Sequence, residues 1–190
     1  MIDCVTMSDV VYLKTVILGD VGVGKTSLVT RFTTNSFNHD YHPTIGVEFT
    51  TKRATINGTK VVFQIWDFSG HNKSVRLVSE FSRDVDCCIL VYDVTRRESF
   101  QSLDCLFKEF LALVHVNAET FPFALVGSKI DLKDHSEKYE DASEWCVKRH
   151  CMPYFEISNK DGDLKVNEVF CVVATKRLKN LWRTMTNISC

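Results

Sequence analysis

The sequence predicts an α/β three-layer sandwich: a six-stranded, mostly parallel sheet with one antiparallel edge strand, flanked by about five helices. Three observations carry this expectation. Short β-rich runs alternate with longer stretches of helical periodicity, the pattern of strands joined by crossover helices. One pair of β-rich runs is joined instead by Asn57-Gly58, two residues that tolerate positive φ and close a tight hairpin. The run CCILVYDV is apolar on both pleat faces, as a strand covered by helices on each side must be.

Taken in order, the first strand falls at residues 10–18, and a glycine-rich turn leads from it into a helix over 25–33. Residues 48–56 and 60–66 are the two arms of the hairpin, hence antiparallel neighbours, and the doubly covered strand spans 86–92. In the helix predicted over 98–114, Phe100, Leu103, Phe107, Phe110, Leu111 and Val114 recur at three- and four-residue spacings and form one apolar face. Strands at 122–127 and 154–157 then alternate with helices at 136–150 and 164–183. No repeat, proline-rich linker or long charge run divides the 190 residues, so a single domain over 1–190 is expected, with its core at about 10–183. Sheets of this kind bind ligands outside the C-terminal ends of their strands.

Composition narrows the function. The 23 Lys and Arg nearly balance 24 Asp and Glu, a net charge of −1, which excludes a nucleic-acid binder driven by bulk charge. With 13 Phe, 5 Tyr and 3 Trp, the chain carries too much apolar mass for a solvated coil. The eight cysteines are scattered without a C-x-x-C pair, which points to reduced thiols packed as small hydrophobes rather than to zinc or a disulfide scaffold. No run is long and apolar enough for a transmembrane helix, and MIDCVTMSDV has neither a signal-peptide pattern nor a myristoylation glycine.

The chemistry begins at Gly19-x-x-x-x-Gly24-Lys25-Thr26, placed directly between a strand and a helix. The glycines let successive backbone N–H groups of Gly22, Val23, Gly24, Lys25, Thr26 and Ser27 curl inward, and the helix start adds positive potential, so the turn can cradle phosphates. Lys25 reaches the outer phosphates and the Thr26 hydroxyl ligates Mg²⁺, which makes this a P-loop NTPase fold. Trp66-Asp67-Phe68-Ser69-Gly70 supplies the second half. Asp67 can hold the magnesium, and Gly70, lacking a Cβ, can present its bare N–H to the terminal phosphate.

With these motifs in place the chain resembles the Ras-like small GTPases, and among them the Rab subgroup, over about residues 12–182. Beyond the phosphate loop the resemblance rests on PTIGVEF, QIWDFSG, LVYDVT, GSKIDL and ISNK. It implies GTP and GDP as bound nucleotides, with Mg²⁺ held by Thr26, Thr44 and Asp67. Thr44 closes on the terminal phosphate, with Tyr41 nearby, and Phe37 packs edge-on against guanine. Lys129 and Asp131 are the base-binding pair, braced by Ser158, Asn159 and Lys160. The resemblance places hydrolysis on His71, Thr44, Gly70 and Lys25. Base choice has its own physics: a carboxylate at Asp131 accepts from guanine N1–H and the 2-amino group, donors that adenine does not offer there.

Three departures from the family pattern set further expectations. Ser128 stands where the family has an Asn that bridges base and loops; serine is too short for all those bonds, so nucleotide exchange should be fast. His71 stands where the family has the Gln that orients the attacking water, and a rigid ring carries its donor and acceptor on opposite sides. Val21 puts a β-branched side chain beside the terminal phosphate, crowding the water and any activating arginine. Weak hydrolysis and a poor response to activating proteins are expected. Phe68 and Ser69 replace the usual Thr-Ala and mark the second switch as atypical.

By the same resemblance, Phe49, Trp66 and Phe81 are the aromatics that read effector proteins, while exchange factors meet the switch regions. HNKSVRLVSEF replaces the usual start of the following helix, so the effector set differs from that of familiar Rabs. The sequence ends TMTNISC; a C-a-a-X box needs cysteine where Asn187 stands, and Cys190 without a polybasic tail gives marginal anchoring. The expectation is a monomeric cytoplasmic protein, peripheral on endomembranes at most. Two rivals remain: a non-cycling interaction module with structural nucleotide, and a P-loop kinase, for which no arginine-rich lid is visible.

Overall fold

The structure, a computed structural model, describes residues 10–38, 43–70, 84–134, 139–162 and 164–188. Six strands form one sheet: β1 (Val11–Leu18), β2 (Val47–Ile56), β3 (Thr59–Phe68), β4 (Cys87–Asp93), β5 (Phe123–Ser128) and β6 (Tyr154–Ile157), in the order β2-β3-β1-β4-β5-β6. Only β2 and β3 pair antiparallel, from Val47 opposite Phe68 to Ile56 opposite Thr59. Their turn is the one the sequence predicts, with Asn57 at φ 49° and Gly58 at φ 81°. β2 lies at the sheet edge, and its Glu48, Lys52 and Arg53 put charge along that edge, which discourages another chain from pairing there. β4 and β5 are buried along their whole length, as strands covered on both faces must be.

The helices are α1 (Lys25–Thr34), α2 (Arg97–Gln101), α3 (Leu103–Val114), α4 (Tyr139–Val147) and α5 (Lys165–Ile188). α2 and α3 run on through Ser102, which keeps helical dihedrals (φ −68°, ψ −18°), so together they are the single helix predicted over 98–114. Four helical bodies therefore flank the sheet among the described residues; the helix expected after Gly70 falls outside them. Two ends differ from expectation. α4 stops at Val147, short of 150, because His150 and Cys151 take the left-handed φ values of 60° and 53° that end a helix. α5 continues past 183, where the sequence reading ended it, to Ile188. No Gly or Pro interrupts residues 184–188, and the Thr184 and Thr186 hydroxyls donate back to the Asn180 and Trp182 carbonyls, so each turn accommodates its threonine.

The strand pleat splits the core into two layers. On one face α1 and α5 cover Leu13, Ile17, Phe63 and Ile65, with Phe32 stacked on Phe170 at 3.7 Å between ring centroids. On the other, α3 and α4 cover Val16, Leu18, Leu90 and Phe123 through Phe107, Phe110 and Trp145. Each such large side chain contributes about 1.5–3 kcal/mol by leaving water. The described cysteines are free thiols, and Cys87, Cys88 and Cys146 are core residues; burial pushes the Cys146 thiol up to about 12. No helix among the described residues is long and apolar enough to cross a membrane. Because β1, β3, β4, β5 and β6 run parallel, their C-terminal ends share one rim, and everything that follows is built there.

Candidate functional site

A cavity of about 810 Å³ opens on that rim. At one end it is lined by Val21, Gly22, Gly24, Lys25, Thr26 and Ser27, facing Thr44 and Gly70; at the other by Phe37, Lys129, Asp131, Asn159 and Lys160. Its size suits a ligand as large as a nucleotide. The two ends carry opposite chemistry, an ammonium with open backbone amides against a carboxylate.

The loop between β1 and α1 is shaped by its glycines. A Cβ on Gly19 would stand 2.1 Å from the Val91 carbonyl oxygen, so only glycine lets the loop leave β1 while lying against β4. Gly24 caps α1 at φ 97° with no side-chain cap among the described residues, leaving the first N–H groups of the helix open to an anion. Lys25 is buried and folds back over its own loop, donating to the Gly19 carbonyl at 2.8 Å and the Asp20 carbonyl at 2.6 Å. Burial pulls its ammonium down to about 8, against the opposing pull of the Asp67 and Asp20 carboxylates. A desolvated cation set among amides is matched to phosphate. Arg96 fastens the loop from the far side, donating to the Val21 carbonyl at 2.7 Å.

Beside the ammonium, the Thr26 and Thr44 hydroxyl oxygens lie 2.8 Å apart, and Thr26 also bonds the Asp67 carboxylate. A hydroxyl has one proton, so Thr26 gives its own to Asp67 and takes that of Thr44. Burial raises the Asp67 carboxyl to about 6, even though the Thr26 hydrogen bond and the Lys25 charge both lower it. Its second oxygen, Oδ1, is buried without a partner among the described residues. Two hydroxyls and a carboxylate with an orphaned oxygen are a hard oxygen donor set, and these residues fit Mg²⁺. Gly70 seats the end of β3 on the phosphate loop: a Cβ there would lie 2.0 Å from the Val21 nitrogen.

At the other end, Lys129 takes a left-handed φ of 67° and its ammonium bonds Asp93 at 2.6 Å. Burial alone would raise the Asp93 carboxyl, but bonds from Lys129 and Thr95 outweigh it and hold it below its ordinary value. Asp131 is exposed to the cavity and oriented by the Ser158 hydroxyl, 2.9 Å from its Oδ1. Ser158 is itself buried and accepts from the Asp161 amide, so its own position is set. Ser128 is fully buried and does not line the cavity; its hydroxyl faces the Val23 and Tyr92 carbonyls, the latter at 2.9 Å. Val23 likewise turns its side chain into the core and offers only backbone. Asn159 reaches the Gly24 carbonyl at 3.4 Å.

Three contributors received no role from the sequence. Arg31 on α1 donates to the Asn159 carbonyl at 2.7 Å and the Lys160 carbonyl at 2.9 Å, across more than a hundred residues of chain. Arg96 and Asp93 act in the same long-range way. On the outer surface, Phe49 and Trp66 are cross-strand partners 4.8 Å apart, with Phe49 exposed. Tyr41, His71, Phe81 and Cys190 lie outside the described residues.

Comparison with known proteins agrees with this geometry. The family model described as "Ras family" matches residues 14–179. The chain is 40% identical over 168 residues to the "Ras-related protein Rab7" of Drosophila melanogaster, covering 88% of this chain and 81% of that one. It is 40% identical over 172 residues to the "Ypt/Rab-type GTPase ypt7" of Schizosaccharomyces pombe, covering 89% and 83%. To the "Ras-related protein RABG3a" of Arabidopsis thaliana it is 41% identical over 172 residues, covering 88% and 83%.

Proposed function

Because the chain belongs to the Ras family of small GTPases, within its Rab subgroup, we propose that it is a single-domain, Rab-like guanine-nucleotide switch of vesicle trafficking that exchanges nucleotide quickly and hydrolyses it slowly. The observation that carries this reading is the two-ended cavity, with Lys25 and the loop amides at one pole and the oriented Asp131 at the other.

Guanine lies between Phe37 and the Lys129 side, its N1–H and 2-amino group donating to Asp131, which Ser158 holds in place. Lys25 exchanges its bonds with the Gly19 and Asp20 carbonyls for phosphate oxygens, recovering the charge balance that burial denies it. Thr26, Thr44 and Asp67 hold Mg²⁺, which neutralises phosphate charge when bound. Thr44 and Gly70 sense the terminal phosphate, linking its presence to the switch regions. Phe49, Trp66 and Phe81 face effectors, and the protein works as a monomer in the cytoplasm, peripheral on endomembranes.

Slow hydrolysis follows from two side chains. Val21 lines the cavity directly under Gly70, where a β-branched group crowds the attacking water, and His71 replaces the flexible amide that orients it. Fast exchange follows from Ser128, whose hydroxyl is turned to the loop carbonyls and away from the cavity. Mass spectrometry of co-purifying nucleotide should find GDP or GTP, and equal affinity for ATP would overturn the reading. Single-turnover GTP hydrolysis should be slow in the wild type and recover in Val21→Gly/His71→Gln. Release of fluorescent GDP should slow in Ser128→Asn; an unchanged rate would remove the fast-exchange part.

A further inference from the structure

The base end of the cavity lacks the amide expected at position 128, and a second amide stands beside the vacated place. We propose that Asn159 is a positioning residue for the guanine nucleotide, its side chain taking over the strut between base loop and phosphate loop that Ser128 is too short to complete. This rests on the guanine-nucleotide reading above.

Four observations carry it. A Cβ built on Gly24 would lie 3.4 Å from Asn159 Nδ2, 3.6 Å from Ser128 Oγ and 3.8 Å from Ser128 Cβ, so the two side chains flank one point beside the phosphate loop. Ser128 performs half the bridging, to Val23 and Tyr92, and Asn159 performs the other half by donating to the Gly24 carbonyl at 3.4 Å. Asn159 is held in position, since Arg31 donates to its carbonyl at 2.7 Å and Ser158 caps the same turn. Finally, Asn159 is 95% buried (5% exposed), lines the cavity, and keeps its Oδ1 without a partner among the described residues. A buried amide with one side bonded and the other unmet is costly to the empty protein, and such groups persist where a ligand completes them.

The two amide positions are alternatives because both approach Gly24. An Asn at 128 would compete with Asn159 for that space, so a second amide adds only a little to what one supplies.

The test is a double-mutant cycle on release of fluorescent GDP in the presence of Mg²⁺. Asn159→Ala should speed release about tenfold, equivalent to about 1.4 kcal/mol. Asn159→Asp, equal in size but without the N–H donor, should speed it similarly. Adding Ser128→Asn to Asn159→Ala should restore release to the wild-type rate or slower, a change of about tenfold, whereas Ser128→Asn alone should slow it only about two- to threefold. Equal factors in both backgrounds, or wild-type release from Asn159→Ala, would overturn the proposal. So would an Asn159→Ala protein whose melting temperature falls as much without nucleotide as with it, since that would assign the residue to the fold. If the wild type does not bind GDP at all, the functional reading fails instead.

Discussion

At the phosphate end of the cavity the binding groups are mostly main chain, whereas at the base end they are side chains drawn from three separate loops. The first set depends on Gly19 and Gly70, whose missing Cβ atoms let backbone approach backbone at distances no other residue permits, and on Gly24, which holds a left-handed φ of 97°. The second set depends on Ser128, Lys129, Asp131, Ser158 and Asn159, bonded to one another, to the phosphate loop, to Asp93 and to Arg31. Main-chain chemistry ties function to particular positions, because a backbone N–H cannot be transferred to a neighbouring loop. Side-chain chemistry can be redistributed: the amide absent at 128 has a counterpart at 159. The phosphate end should therefore be brittle and the base end tolerant.

The largest effect is expected from Lys25→Ala. It removes the one buried cation that lines the phosphate end among the described residues, and two charge-assisted bonds of about 1.5–3 kcal/mol each correspond to a loss of roughly 10²–10⁴ in GDP affinity. Isothermal titration would show it; a loss below tenfold would contradict the assigned role. The wild type carries the matching pH signature. Burial sets the empty-site ammonium at about 8, so GDP association should weaken as pH rises through 8 and the lysine loses its proton.

Gly70→Ala comes next. Its Cβ would meet the Val21 nitrogen at 2.0 Å and the Asp20 carbonyl carbon at 2.1 Å, so the end of β3 must retreat from the loop. A non-hydrolysable GTP analogue should lose roughly tenfold to a hundredfold in affinity, in keeping with one lost charge-assisted bond, while GDP changes little. Equal losses for both nucleotides would place Gly70 in the fold rather than in the sensing of the terminal phosphate.

Asp67 sharpens the contrast through pH. Its folded carboxyl titrates near 6, above the ordinary value of 3.8, so its charge opposes the empty fold above pH 6 and that penalty disappears as pH falls. Mg²⁺ needs the ionised form. Magnesium affinity of the GDP complex should hold level above pH 6 and fall up to about tenfold per unit below it. Asp67→Asn should abolish that slope, and a slope surviving the substitution would belong to the nucleotide's own phosphates.

Much of this was legible in the sequence, for reasons the same contrast explains. The strands showed because β4 and β5 are apolar on both faces and Asn57-Gly58 can hardly be anything but a hairpin turn. The phosphate end showed because loop, lysine and threonine are contiguous, and Asp67 and Gly70 close a strand that pairs with β1. The base end was readable only in part. Lys129 and Asp131 sit in one short motif, but the bonds that orient them come from Asp93 and Ser158, 36 and 27 residues away, and Arg31 grips the neighbouring Asn159 from 128 residues away in sequence. No periodicity encodes such contacts. α5 runs past the predicted 183 for a local reason: the Thr184 and Thr186 hydroxyls bond to carbonyls of the preceding turn and stay within the helix.

The smallest expected effect tests how tolerant the base end is. Arg31 donates to the Asn159 carbonyl through Nε and to the Lys160 carbonyl through Nη2, gripping the loop from outside while touching no part of the base-reading edge. Lysine cannot span two carbonyls with one fixed fork, so Arg31→Lys should lose one of the two bonds and Arg31→Ala both. At about 0.5 kcal/mol for each such bond in a partly exposed site, GDP release should accelerate about twofold in Arg31→Lys and about fivefold in Arg31→Ala. Preference for guanine over adenine should be unchanged in both, because Asp131 keeps its bond from Ser158. If either variant also relaxes base choice, the loops at this end are coupled more tightly than their separate hydrogen bonds imply, and the division between a brittle and a tolerant pole fails.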